Sequence, residues 1–86
     1  MEKKIKLRTH DGSNNYLQLI EGRPNTYKLV TQFNFIRGGQ VSDGREFIDP
    51  SGGPMLVVGD KIDGTNYVIE NIEFEKGVGH ILILKK

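Results

Sequence analysis

Apolar and polar residues alternate along most of this chain, and Gly, Asn, Asp or Pro interrupts the alternation roughly every 8–12 residues. In the segment 4–9, Ile5 and Leu7 fall on one face of an extended chain, and Lys6 falls on the other. Apolar residues at helical spacing do not recur for more than about one turn, and the chain contains no alanine. The pattern predicts an all-β fold without long helices: a small antiparallel barrel or sandwich of about six to eight short strands.

The alternation predicts strands on both sides of a central hairpin, over residues 4–9, 16–21, 26–37, 55–58, 66–74 and 79–85. Matching the apolar faces of the first two strands places Leu17 opposite Leu7. In the last pair, a two-residue turn at Lys76-Gly77 would place Glu73 opposite His80.

Two apolar runs, MLVV at 55–58 and ILIL at 81–84, lack the alternation. Runs of this kind are typical of strands that are covered on both faces, so 55–58 is predicted to be an inner strand. A chain of 86 residues has little material with which to cover two such strands by itself. A closed barrel or another subunit would cover the ILIL strand, and the two runs together predict a homo-oligomer.

The central segment IRGGQVSDGREFIDPSGGP, residues 36–54, holds five of the eleven glycines and two of the three prolines. Asp43-Gly44 favours a two-residue type I′ turn, which would place Gly38 opposite Asp49. The same register brings Gly38-Gly39 close to Gly52-Gly53 at the base of the hairpin.

Exposed glycine amides can surround an anion, and arginine donates paired hydrogen bonds to phosphate oxygens. The base of the hairpin is therefore predicted to bind a small anionic ligand, most simply a nucleotide. The candidate ligand-binding residues are Arg37, Gly38, Gly39, Asp49, Ser51, Gly52 and Gly53, with Phe35 and Phe47 beside them and Arg45 reaching in from a neighbouring subunit. The alternative is that the glycines form a β-bulge and a plain turn, and that the aromatic rings belong to the core.

Composition limits the classes of partner and of cellular location that remain for this chain. The chain is predicted to be a single domain, 1–86, and its 12 basic and 11 acidic side chains argue against sequence-independent binding of duplex nucleic acid. Without cysteine it has no disulfides and no thiolate metal site, which favours a reducing compartment or a phage gene product. The charged N-terminus and the short apolar runs predict no membrane span, and thus a cytoplasmic protein, in the host cytoplasm if it is phage-encoded.

No catalytic constellation is recognisable, and no enzyme activity, metal or cofactor is predicted. His10 and His80 are the only histidines, and no serine is placed with a histidine and a carboxylate in a recognisable triad. Asp60 and Asp63 lack the spacing of a calcium-binding EF-hand loop.

The segment LVVGDKIDG, residues 56–64, resembles the Gly-Asp turn of many SH3-like barrels and PDZ domains. The resemblance implies a bend followed by a buried Ile62, although the helices of a PDZ domain have no counterpart in this sequence. It covers only nine residues and assigns no family.

Three functions remain open. The sequence favours the first, a non-catalytic protein that sequesters a nucleotide-type signal in or between subunits of a homo-oligomer, similar in class and size to phage proteins that remove nucleotide immune signals. The second is a structural or adaptor protein, such as a phage-particle component or an inhibitor, that docks by adding a strand to a sheet. The third, a single-strand nucleic-acid binder, is disfavoured by the net charge of +1 and the absence of tryptophan.

Overall fold

A computed structural model describes residues 2–8, 14–32, 35–50 and 54–86. These residues form eight strands in two antiparallel sheets and contain no helix, which confirms the predicted all-β class. The strands are β1 (Lys4–Lys6), β2 (Tyr16–Leu19), β3 (Thr26–Val30), β4 (Ile36–Gln40), β5 (Glu46–Pro50), β6 (Leu56–Val57), β7 (Val68–Glu75) and β8 (Gly79–Lys85). Within the same residues, no helix has the length and apolar character needed to cross a membrane.

One hydrophobic core is shared by both sheets. The larger sheet has the order β1-β2-β3-β8-β7, and the smaller has the order β4-β5-β6. Alternation places every second side chain of these strands on the covered face. The core consists of Ile5, Leu7, Leu17, Tyr27, Leu29, Ile48, Leu56, Ile62, Tyr67, Ile69, Ile72, Leu82 and Leu84.

The two sheets are joined by backbone hydrogen bonds at the bend that follows β6. The N–H of Gly59 donates to the carbonyl oxygen of Ile69 at 2.7 Å, and the N–H of Ile69 donates to the carbonyl oxygen of Asp60 at 3.0 Å. Ile62, which follows this bend, is 2% exposed, as the resemblance at 56–64 implied.

The predicted long strand 26–37 is two strands in two different sheets, so that prediction is wrong. Tyr27 and Leu29 are buried in β3, whereas Phe35 is 70% exposed, although it would share their face in a continuous strand. Ile36 packs against the core instead. The covered positions thus change from odd numbers in β3 to even numbers in β4, so the two strands do not continue one alternation.

The register of the first hairpin differs from the prediction by two residues. Ile5 pairs with Leu17, and the N–H of Leu7 donates to the carbonyl oxygen of Asn15 at 3.0 Å. A shift of two residues preserves the side-chain faces, so Ile5, Leu7 and Leu17 are all buried as expected.

The β4–β5 and β7–β8 hairpins have three-residue turns, whereas the sequence predicts two-residue turns. In the β4–β5 hairpin the N–H of Gly44 donates to the carbonyl oxygen of Val41 at 2.8 Å, and Gly44 has a φ of 87°. This geometry is that of a type I turn followed by a left-handed glycine. One extra turn residue changes every cross-strand pair, and Gly38 therefore pairs with Ile48 rather than with Asp49.

The β7–β8 hairpin also has a three-residue turn, so its cross-strand pairs differ from the prediction in the same way. Glu75 pairs with Gly79, and Phe74 pairs with His80, so His80 does not lie opposite Glu73. Glu73 pairs with Ile81.

Most residues of the two apolar runs are buried within a single chain, but Met55 is 50% exposed. β6 is the last strand in the order β4-β5-β6 rather than an inner strand, yet Leu56 and Val57 are both buried. β8 lies between β3 and β7, and Ile81, Leu82 and Leu84 are buried there. Burial of these runs therefore does not require a second subunit.

Candidate functional site

The candidate functional site is a cleft between the β4–β5 hairpin and the β7–β8 hairpin, here called the hairpin cleft. Ile48 and Ile72 belong to the shared core, but the hairpin residues beyond them are not covered by the opposite sheet. The cleft has a volume of about 370 Å³. It is lined by Gly38, Gly39, Gln40, Glu46, Phe47, Ile48, Ile72, Glu73, Phe74 and His80.

Within the glycine pair of β4, packing explains Gly39 but not Gly38. A Cβ atom added to Gly39 would lie 3.2 Å from Cε1 of Phe47, so the aromatic ring lies directly over the glycine. A Cβ atom added to Gly38 would have ordinary contacts with its partner strand, the closest being 3.5 Å to the carbonyl oxygen of Phe47. Because Gly38 shares its strand face with Ile48, the missing side chain leaves the cleft open on that side.

The amides of the glycine pair do not form an anion-binding nest. A nest requires backbone that alternates between right- and left-handed conformations. Gly38 and Gly39 lie in the paired strand β4, and neither has a positive φ. Consecutive amides of a strand point to opposite edges, so the two N–H groups cannot converge on one anion.

Aromatic side chains form one wall of the cleft. The rings of Phe74 and His80 meet edge to face, with centroids 5.1 Å apart and an interplanar angle of 70°. Phe74 is 68% exposed, which is unusual for a large apolar side chain on a hairpin. Burial lowers the pKa of His80 below its ordinary value, so the imidazole is mostly neutral at pH 7.

The charged groups that line the cleft are acidic. Glu46 and Glu73 contribute carboxylates, and no Lys or Arg is among the lining residues. Carboxylates repel an anion and attract a cation at short range. The hairpin cleft therefore favours an apolar, aromatic or basic group over a phosphate.

Arg37 and Asp49 lie close to the cleft but do not line it. They are opposite each other in the observed register, with Arg37 Nη2 3.0 Å from Asp49 Oδ2. The Arg37 side chain is 68% exposed, so solvent screens this ion pair strongly. Residues two positions apart in a strand share a face, which places Arg37 on the face of Gly39 and not on that of Ile48.

Arg45 stabilises the ends of two turns. Its Nε donates to Asp43 Oδ2 at 2.8 Å, and its Nη1 donates to Asp60 Oδ1 at 2.8 Å and to the carbonyl oxygen of Val58 at 3.2 Å. The backbone N–H of Arg45 also lowers the pKa of the Asp43 carboxyl. These contacts tie the β4–β5 turn to the bend after β6, and they already use Nε and Nη1 of the Arg45 guanidinium.

Phe35 is the remaining predicted site residue that the structure describes, and it does not line the cleft. Phe35 precedes β4 and is highly exposed. Ser51, Gly52 and Gly53 lie outside the described residues. Of the predicted set, the structure brings Gly38, Gly39 and Phe47 into the cleft.

Sequence reasoning missed Phe74, His80, Glu46 and Glu73 as cleft residues. The available signal was Phe74, an aromatic residue two positions after the apolar Ile72 and close to a glycine turn. A two-residue turn would place His80 opposite Glu73, so the sequence does not predict the contact between His80 and Phe74.

Comparison of this chain with known protein families, curated proteins and solved structures returns no significant match. The chemistry of the hairpin cleft is therefore inferred from its own residues. Within the described part of the chain, no three His, Asp or Glu side chains are grouped so that they could hold a metal ion.

Proposed function

We propose that this chain is a non-catalytic adaptor or inhibitor that takes an extended segment of a partner protein along the free edge of β4. The observation that carries the proposal is the exposure of this edge strand: four of its five residues are exposed, and β4 ends the order β4-β5-β6. An uncovered edge presents N–H and C=O groups with which a second strand can pair. Strand addition gives affinity through these main-chain bonds and specificity through adjacent side-chain pockets.

The hairpin cleft is suited to be that pocket because Gly38 and Gly39 belong both to β4 and to the cleft. Side chains of an added strand would alternate between its two faces, so every second one could enter the cleft. Phe74 and His80 would contact an apolar or aromatic side chain, and Glu46 and Glu73 would attract a basic one. The proposed partner segment therefore alternates apolar and basic residues on one face.

We also infer that the two sheets form an open sandwich rather than a closed barrel. They bury one core, and the described hydrogen bonds between them lie at the bend around Gly59 and Asp60. This arrangement leaves β1 and β4 as strands at the ends of their sheets. An open arrangement is a condition for docking at β4.

The experiment is a selection of random linear peptides on the purified protein, followed by calorimetry with the enriched peptides. Phe74→Ser removes the exposed aromatic wall and is expected to weaken binding at least about tenfold, since aromatic anchors commonly dominate such interfaces. The matched control is Tyr16→Ser, an aromatic residue on β2 in the far part of the larger sheet. Enrichment of no peptide, or equal affinity for Phe74→Ser and wild type, would refute the proposal.

The anionic-ligand hypothesis stays a second prediction. What favours it is the exposed guanidinium of Arg37, whose described ion pair uses one nitrogen, Nη2. Charge-assisted hydrogen bonds are worth about 1.5–3 kcal/mol, so loss of such a contact weakens binding roughly ten- to a hundredfold. Calorimetry with a panel of nucleotides on wild type and Arg37→Ala tests it, and binding that is unaffected by the substitution would place any anion elsewhere.

Homo-oligomer formation also stays a prediction. Since most residues of the apolar runs are buried within one chain, an oligomer would use exposed surface such as the β4 edge or the apolar side chains of Met55, Phe74 and Val78. Native mass spectrometry measures the number of subunits directly. A monomer at micromolar concentration would contradict this prediction and leave β4 free for a partner.

A further inference from the structure

A second cavity, here called the Arg8 cavity, lies between the end of β1 and the bend after β6. Its volume is about 240 Å³, and it shares no lining residue with the hairpin cleft. Its apolar floor is formed by Leu7, Leu56 and Ile62, each of which is at most 4% exposed, and by Met55, which is 50% exposed. Its rim carries Arg8, Lys61 and Asp63.

The cations of this rim differ from the other arginines of the protein. Arg23, Arg37 and Arg45 each form an ion pair with a carboxylate. Among the described residues, neither Arg8 nor Lys61 has such a partner. With Asp63 present, the rim carries a formal charge of +1, which complements a single negative charge.

We propose that the Arg8 cavity binds a small aliphatic carboxylate. The apolar floor would take the hydrocarbon chain, since burial of apolar surface is favourable in proportion to the area removed from water. Arg8 and Lys61 would bind the carboxylate at the mouth, and the planar guanidinium of Arg8 matches the two carboxylate oxygens. The volume lies below the range of roughly 300–1,000 Å³ that is typical for drug-sized ligands, which limits the ligand to a short chain.

The test is a titration of the ¹⁵N-labelled protein with hexanoate, followed by amide chemical shifts. Saturable shifts are expected at Leu56 and Ile62, with a dissociation constant on the order of 1 mM for so small a ligand. Acetate carries the charge without the chain, and hexanol carries a similar chain without the charge. Each is expected to bind at least about tenfold more weakly than hexanoate.

The Arg8→Gln/Lys61→Gln variant is expected to bind hexanoate at least about tenfold more weakly than wild type. Lys76→Gln/Lys85→Gln removes the same charge from positions that do not line the cavity, and is expected to keep the wild-type affinity. Retention of the wild-type spectrum elsewhere shows that the variants are folded. Absence of saturable shifts, equal binding of hexanol, or equal loss in both double variants would overturn the proposal.

Discussion

Alanine at the adjacent positions 38 and 39 is expected to have different effects on stability. At Gly38 the added Cβ atom would lie 3.5 Å from the carbonyl oxygen of Phe47 and 3.9 Å from Cγ2 of Ile48, which are ordinary contacts. At Gly39 it would lie 3.2 Å and 3.4 Å from two ring atoms of Phe47, so the ring would have to move. Both substitutions therefore add one methyl group, and they differ in whether that methyl group contacts the Phe47 ring.

The size of the expected change in stability follows from the backbone conformation of the two glycines. Neither glycine has a positive φ, so alanine fits the native conformation and reduces the freedom of the unfolded chain. This effect stabilises by about 0.4–1 kcal/mol. Gly38→Ala should keep the whole gain, whereas Gly39→Ala should lose some or all of it to displacement of the Phe47 ring.

Urea unfolding followed by far-UV circular dichroism measures the difference. With a slope of about 1 kcal/mol per molar urea for a small domain, Gly38→Ala should raise the midpoint by about 0.4–1 M. Gly39→Ala should give a midpoint lower than that of Gly38→Ala, with an unchanged slope. Because Gly38 shares its strand face with Ile48, the same methyl group should weaken binding of a selected peptide in the hairpin cleft.

Two results would refute this reasoning. Destabilisation by Gly38→Ala of more than about 0.5 kcal/mol would indicate that this glycine needs a conformation closed to other residues. Equal stabilisation at both positions would indicate that the Phe47 ring does not restrict position 39.

Three further outcomes are expected. Leu17→Ala should destabilise the protein by about 2–5 kcal/mol because this side chain is 0% exposed. The control Gln18→Ala on the same strand should change stability by less than about 0.5 kcal/mol. Urea unfolding measures both values. Burial lowers the pKa of His80 in the folded state, so the unfolded chain takes up a proton first as the pH falls. The free energy of unfolding should therefore fall as the pH drops through and below about 6.5. His80→Phe should remove this part of the loss when the pH profiles of stability are compared. Arg45→Lys cannot reproduce the three side-chain hydrogen bonds of Arg45. Amide hydrogen exchange should therefore be faster at Val58, whose N–H donates to the carbonyl oxygen of Glu46 in β5. An unchanged exchange rate would show that these contacts do not hold the turns together.

Part of the candidate site could be predicted from the sequence. The concentration of glycine and aromatic residues at 36–54 indicated an unusual surface, and Gly38, Gly39 and Phe47 do line one cleft. The other wall could not be predicted because it comes from β7 and β8, which meet this hairpin only in the folded chain. The chemistry of that wall, two carboxylates beside an aromatic pair, changes the favoured ligand from an anion to an apolar or basic group.

The sequence by itself determined the all-β class, the identity of most buried residues and the positions of the turns among the described residues. Period-two alternation is a local property, and it survives a pairing shift of two residues, as between Ile5 and Leu17. Left-handed glycines such as Gly44 and Gly77 mark turns whether the loop has two residues or three. Tertiary structure alone decided the loop length, the break between β3 and β4, and the cleft, because each depends on which strand face the opposite sheet covers.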